Sequence, residues 1–203
     1  MNKEKYLKKS LEVFKKEGLQ ISIDDLAEKI GVTKKTLYNH FNSKEELLNE
    51  CVFSFACEIK ERIKVMYSPE INAIEGIRRG MDEMKAIFCN ICNAFIEGLK
   101  KIYPEIGISG HKAGFSIYVD SVKKNIEKGI KEGLYMPETD INLISNYYSY
   151  SSFSFFHKMV ITSNEFSCGD FFNTIVEYHL SAILTDKGRN YINKTNNRQN
   201  EKD

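Results

Sequence analysis

Between Glu28 and Glu45 the chain carries Lys29, Lys34, Lys35 and Lys44 with no acidic residue among them. Thr33, Thr36, Tyr38, Asn39 and His40 are interleaved with these lysines. Ammonium, hydroxyl, amide and imidazole groups are the donors that phosphate oxygens and base edges accept. The rest of the chain is balanced, with 29 basic against 28 acidic residues and a formal net charge of +1. Bulk electrostatics therefore gives no argument for nucleic acid, but the local clearing marks a candidate anion-facing surface. The competing reading is an ordinary solvated face. A second candidate is the Cys89-x-x-Cys92 pair, whose spacing suits a metal or a disulfide. A closed zinc site needs four ligands, and no second CxxC or nearby histidine pair supplies them. Buried packing is the simpler account of these thiols. Glu97, Asp120, His111, His157 and His179 fall into no catalytic spacing, so no enzyme, cofactor or metal site is expected.

The elements that position the donors follow from local rules. Leu7, Leu11 and Phe14 repeat at helical spacing, so residues 3–17 read as an amphipathic helix that Gly18 ends. Ser22-Ile23-Asp24-Asp25 has the form of a helix start, with the Ser22 hydroxyl available to free N–H groups of the first turn. Ile23, Leu26, Ala27 and Ile30 mark one face, and Gly31 stops the helix. Thr33 caps a third helix anchored by Leu37 and Phe41. Two short helices joined by a glycine-containing turn make a helix-turn-helix. Ser43-Lys44-Glu45-Glu46 opens a long helix that stays apolar on one face until Pro69.

The run from Ile23 to Phe41, with Gly31-Val32-Thr33-Lys34-Lys35-Thr36-Leu37-Tyr38-Asn39-His40-Phe41 and then Ser43-Lys44-Glu45-Glu46-Leu47, resembles the DNA-binding domain of the TetR (tetracycline-repressor) family. The resemblance covers roughly residues 3–50. It departs at Lys35, where the family often has glycine or alanine. It implies an all-α chain with a three-helix DNA-binding head at 1–48. A long helix would join that head to a ligand-binding and dimerisation domain at 49–190, followed by a polar tail at 191–203. The implied DNA contacts are Ser22, Thr33, Lys34, Lys35, Thr36, Tyr38, Asn39, His40 and Lys44. Lys34 and Lys35 open the recognition helix within reach of guanine acceptors or phosphates, and Thr36 is short enough for a thymine methyl. Lys44, beside the free N–H groups of the next helix, reads as a phosphate clamp.

Beyond Pro69 the pattern stays helical. Apolar positions from Ile74 to Ile102 would make a helix of about 50 Å if unbroken, so a break near Cys89–Asn93 is expected, giving helices at 71–88 and 92–102. Further helices are expected at 111–132, 140–162 and 169–185, and the asparagine-rich segment after Thr185 is expected to fray. Lys131-Glu132-Gly133-Leu134-Tyr135 is similar to the segment before the penultimate long helix of the family. Ser145, Ser149 and Ser152 form a stripe of small residues on a helix otherwise crowded with aromatics. Phe88, Phe95, Phe115, Tyr118, Tyr147 and Phe156 are candidate linings of an apolar effector pocket. The alternative is that these rings simply close the core.

Composition sets the remaining bounds. Hydrophobic residues make up 42% and charged residues 28% of 203 residues, enough for a packed core. Three prolines and twelve glycines disfavour an all-β sandwich. No run is long and apolar enough to span a membrane, the first residues are charged, and five cysteines without secretory context suit a reduced cytoplasmic compartment. The expectation is a homodimeric, cytoplasmic regulator, most simply a repressor, that binds a palindromic double-stranded DNA operator and is released by an apolar or aromatic small molecule. Two other readings stay open: a thiol redox or metal sensor using Cys89 and Cys92, and an α-helical protein-interaction module.

Overall fold

The structure, a computed structural model, describes residues 3–89, 91–162 and 168–200, and side chains outside 153–162, 168 and 196–200. It is all-helical, with ten α-helices among the described residues. α1 (Lys3–Glu17) stops at Gly18, whose φ of 85° favours glycine. Space demands glycine there too, since a Cβ would meet the Ala94 Cβ at 2.6 Å. α2 (Ile23–Ile30) begins at Ser22, whose Oγ accepts the Asp25 N–H at 3.1 Å. It closes at Gly31 (φ 77°), with the Val32 N–H donating back to the Ala27 carbonyl at 2.9 Å. α3 (Lys34–Tyr38) is capped by Thr33, and α4 (Lys44–Ile63) by Ser43, whose Oγ accepts the Glu46 N–H at 3.0 Å. A 3-10 turn (Lys64–Tyr67) prolongs α4.

α5 (Ala73–Phe88) and α6 (Asn93–Lys101) are separated where the long apolar run was expected to break. α7 (Pro104–Lys131) starts seven residues earlier than position 111, because proline suits the first helical turn, where its missing N–H has no partner to lose. α8 (Ile141–Thr162) and α9 (Cys168–Ile183) follow. α3 ends at Tyr38 and does not reach Phe41, which is buried beyond the turn. The segment after Thr185 does not fray: it forms α10 (Asp186–Asn200). Tertiary contacts hold it, with the Tyr191 hydroxyl donating to Glu75 at 3.4 Å and Gly188 seated so closely that a Cβ would lie 2.4 Å from the Leu134 carbonyl oxygen.

The chain forms two compact units, residues 1–61 with 87–114, and residues 62–86 with 115–203. The first buries Phe14, Leu26, Ile30, Leu37, Phe41 and Leu48. The second has an apolar core around Met66, Ile77 and Val122, pinned by a buried polar lock. Asn125 Nδ2 donates to the carbonyls of Met66 (2.6 Å) and Ala73 (2.8 Å), while its Oδ1 accepts the Tyr135 hydroxyl at 3.2 Å. The Lys128 ammonium donates to the carbonyls of Ser68 and Ile71, and the Ala73 N–H donates to Glu132 at 2.8 Å. These bonds fix the turn before α5 onto α7.

Two stability predictions follow from this unit. Asn125→Ala leaves two buried carbonyls without their donor and the Tyr135 hydroxyl without its acceptor, so chemical denaturation should show a loss of about 3 kcal/mol. His179 is buried with its ring 4.1 Å from that of Tyr148, and burial lowers its pKa to about 4. The unfolded chain takes up this proton near pH 6.5 and the folded chain only near pH 4, so stability should fall as pH drops through that window, by about 3 kcal/mol in all. Equilibrium unfolding across pH 7 to 4 should show a shallower loss in His179→Phe than in the parent.

Candidate nucleic-acid interface

Leu37 and Phe41 point into the first unit, and that choice of inward face leaves Lys34, Lys35, Tyr38, Asn39 and His40 exposed. Thr36 is half-buried. Thr33 Oγ1 accepts the Thr36 N–H at 3.1 Å and lies 2.9 Å from Thr36 Oγ1. Ser22 is engaged in the same way, donating its hydroxyl to Asp25 at 2.6 Å while capping α2. The His40 ring packs 5.2 Å from that of Tyr6, which steadies it at the surface. The candidate DNA contacts from Thr33 to His40 therefore share one short outward segment, with Ser22 at the start of the preceding helix.

The fold redistributes the charge of this segment. Lys29 pairs with Glu17 at 3.0 Å and Lys34 with Asp24 at 2.8 Å. The Asp24 hydrogen bond and charge raise the Lys34 pKa. Lys44, expected as a phosphate clamp, also has a structural role: its ammonium donates to the Leu19 and Ile21 carbonyls, both at 2.6 Å, so two of its three donors tie the α1–α2 loop to α4. Partial burial lowers its pKa. Among the described residues the exposed Lys35 ammonium is paired with no carboxylate or carbonyl. Glu17 and Asp24 were invisible to the charge count because they lie outside the acid-free window and reach it only through the turn of the chain. An open groove alongside, lined by Glu17, Ile21, Asp25, Glu28 and Lys29, carries more acid than base and is no cradle for phosphate.

Of the candidate effector residues, Phe88 and Phe95 belong to the first unit and Phe115, Tyr118 and Tyr147 to the second. The Phe156 side chain lies outside the described residues. Phe88 meets the Phe55 ring at 6.1 Å, and Phe95 is buried. Tyr147 is corrected outright, because it is 69% exposed. Its neighbour Tyr148 takes the inward place, buried against Tyr118 (6.2 Å between rings) and His179. Phe115 is half-buried and meets Tyr150 edge-on at 5.2 Å. Tyr148 and His179 are the groups that periodicity missed. The Cys89-x-x-Cys92 alternative also changes: Cys89 is disulfide-bonded while Cys92 is a free thiol at the start of α6, so the two are not joined to each other. Among the described residues no group of three His, Cys, Asp or Glu side chains is placed to hold a metal.

Residues 7–51 match the bacterial regulatory proteins of the tetR family, and this span contains the whole α2–turn–α3 unit. Over that span the head is similar to the DNA-binding part of the tetR family; the match covers less than half of the chain. The matching model describes bacterial regulatory proteins. An uncharacterized HTH-type transcriptional regulator of Bacillus subtilis (strain 168), YvaF, is 30% identical over 74 residues, 36% of this chain. The match spans 39% of the length of that relative. Among solved structures, a TetR-family transcriptional regulator from Agrobacterium tumefaciens superposes with a TM-score of 0.68 at 16% identity, over 90% of this chain and 97% of the other. SmeT, the repressor of the Stenotrophomonas maltophilia multidrug efflux pump SmeDEF, superposes with a TM-score of 0.62 at 14% identity, covering 92% of each chain. SmeT has also been solved as a complex with triclosan. At these identities the likeness extends the TetR-like fold over nearly the whole chain.

In this head Lys44 is first a structural tie. Lys44→Ala should lower stability by about 2 kcal/mol, because the Leu19 and Ile21 carbonyls lose a charged donor. Lys35→Ala should leave thermal unfolding unchanged. A melt in which both variants match the parent would contradict the role assigned to Lys44.

Proposed function

We propose that this chain is a sequence-specific DNA-binding transcriptional regulator: a homodimeric repressor that leaves a palindromic operator when a small molecule occupies its second unit. The observation that carries the reading is the tetR-family head at residues 7–51 with its outward donors on α3 and the turn after it. In a major groove the start of a recognition helix meets base edges and its flanks meet phosphates. Lys34 and Thr36 are the base-reading candidates, with guanine acceptors and thymine methyls as their complements, while Lys35 beside them reaches phosphate. Tyr38, Asn39 and His40, with the Ser22 and Thr33 caps, serve as phosphate contacts that set register. The remaining Lys44 donor reaches a phosphate without giving up its tie to the loop.

Homodimerisation is supported by an uncovered apolar face. Leu143, Tyr147 and Tyr150 of α8 and Tyr178 of α9 are all more than half exposed. Large exposed apolar side chains grouped on paired helices mark association surfaces, and a two-fold contact covers the same patch on both copies. Two heads so joined must present recognition helices about 34–36 Å apart, so a small rearrangement abolishes simultaneous engagement. The effector reading takes support from the SmeT–triclosan complex and from the ring cluster Tyr118, Tyr148 and His179. His179 Nε2 is buried without a hydrogen-bond partner, and the Tyr148 hydroxyl is buried beside the Tyr118 ring. An apolar or aromatic molecule bearing one polar group suits that environment. A 100-fold preference for the non-DNA geometry corresponds to about 2.7 kcal/mol of coupling. The reading places the protein in the cytoplasm with no membrane partner. Among the described residues no helix is long and apolar enough to cross a membrane.

The test is selection of bound duplexes from a random pool with the full chain. A palindrome should be enriched, and Lys35→Ala should weaken every duplex and flatten the dependence of log affinity on log salt by roughly 0.9. Lys34→Ala or Thr36→Ala should instead change the enriched sequence. A pool that stays random after selection would overturn the reading.

A further inference from the structure

The fold places an acid against the recognition helix that the linear charge pattern hides. Asp24, in the first turn of α2, holds the Lys34 ammonium at 2.8 Å across ten residues of chain. Both side chains are exposed, 64% for Asp24 and 49% for Lys34. Lys34 opens α3, and Lys35 beside it has no such partner among the described residues. An exposed ion pair contributes little to stability, so a competing anion or acceptor displaces it at small cost. The position of the pair matters more than its strength. In a helix-turn-helix the first helix crosses the phosphate backbone while the second enters the major groove. A carboxylate at the start of that first helix faces phosphates, and each one it faces opposes binding irrespective of sequence.

We propose that Asp24 is a specificity-determining residue: it occupies Lys34 on non-cognate duplexes and yields it only where a base acceptor in the major groove replaces the carboxylate. The inference rests on the DNA-binding reading above. Non-specific affinity comes almost wholly from cations that release counterions from phosphate. With Lys34 on Asp24, Lys29 on Glu17 and Lys44 mostly on carbonyls, that contribution is held down. On the cognate site Lys34 exchanges Asp24 for a guanine O6 or N7, which restores a charge-assisted hydrogen bond that a mismatched base does not offer. The carboxylate thereby penalises wrong sequences more than right ones, which is how specificity arises from a repulsive element.

The experiment measures binding of the full chain to its selected duplex and to a scrambled duplex by fluorescence anisotropy over a salt series. Asp24→Asn keeps the size and the polar character of the side chain and removes the charge. It should tighten the scrambled duplex by roughly threefold to tenfold and steepen its salt slope by about 0.9, with a smaller gain on the selected duplex. The ratio of the two affinities should fall. In a Lys34→Ala background the same substitution should do less than half as much, because there is no ammonium left to release. Equal tightening of both duplexes, or a full effect of Asp24→Asn without Lys34, would overturn the proposal while leaving the DNA-binding reading intact. Failure of the parent to bind any selected duplex would overturn that reading and this proposal together. Asp24→Ser provides a second neutral variant, and matching far-ultraviolet spectra for both are required to read the affinities as charge effects; a loss of binding in two folded neutral variants would also sink the idea.

Discussion

A five-residue helix does not hold its own shape in water, because the first turn costs more in chain entropy than a single hydrogen bond returns. α3 is that short, about 7 Å from end to end, and everything the head presents outward depends on how it is held. Three local constraints hold it. Gly31 turns the chain through a left-handed conformation, Thr33 supplies the missing acceptor at the first turn, and Leu37 and Phe41 are buried beneath it. Once Leu37 is inside, the rotation of the helix is set, and Lys34, Lys35 and Tyr38 have nowhere to point but out. The outward surface of α3 is therefore a by-product of core packing. A substitution at Leu37 disturbs every donor at once, whereas a substitution at Lys35 disturbs one.

The same folding that aims the donors also edits their charge. Counted along the chain, four lysines stand in an acid-free window; counted in space, two have carboxylate partners and a third is tied to loop carbonyls. Each pairing uses a residue from α1, α2 or the loop between them, and α2 packs directly against α3. A positive patch made only of unpaired lysines would bind any duplex. A patch whose cations are mostly engaged keeps its hydrogen-bonding geometry while giving up most of its sequence-independent attraction, which shifts the balance toward contacts that carry sequence information.

How legible each feature was in the sequence depends on whether its cause is local. The helix starts at Ser22, Thr33 and Ser43 and the stop at Gly31 were readable because capping is decided within four residues. The break between α5 and α6 followed from helix length alone. Other features arise from contacts distant in sequence. α10 was unreadable because its polar, asparagine-rich composition argues for fraying, and only the seats of Gly188 and Tyr191 reverse that. α8 was misread at Tyr147 for a different reason. Aromatics occupy Tyr147, Tyr148 and Tyr150 together, so periodicity offers no unique inward face, and adjacent residues about 100° apart compete for it. The buried serines Ser145, Ser149 and Ser152 settle the matter: they mark the inward face, with Tyr148 beside them and Tyr147 and Tyr150 turned to solvent.

The second unit contains two kinds of buried polarity, and they have opposite consequences. Asn125 has every one of its roles filled, with donors on two carbonyls and an acceptor taken by Tyr135, so it stiffens the turn before α5 at no unmet cost. Tyr148 and His179 sit in equally dry surroundings, yet the His179 Nε2 lacks a hydrogen-bond partner, and burial pushes the Tyr148 hydroxyl up and the His179 imidazole down in pKa. A buried polar atom without a partner costs about 1–3 kcal/mol, and whatever supplies the partner recovers it. A satisfied network resists change because every rearrangement breaks something. An unsatisfied one responds to the first molecule or rotation that completes it. In this chain the boundary between the two runs through α7, with Asn125 on one side and Tyr118, two turns earlier, against the Tyr148 ring.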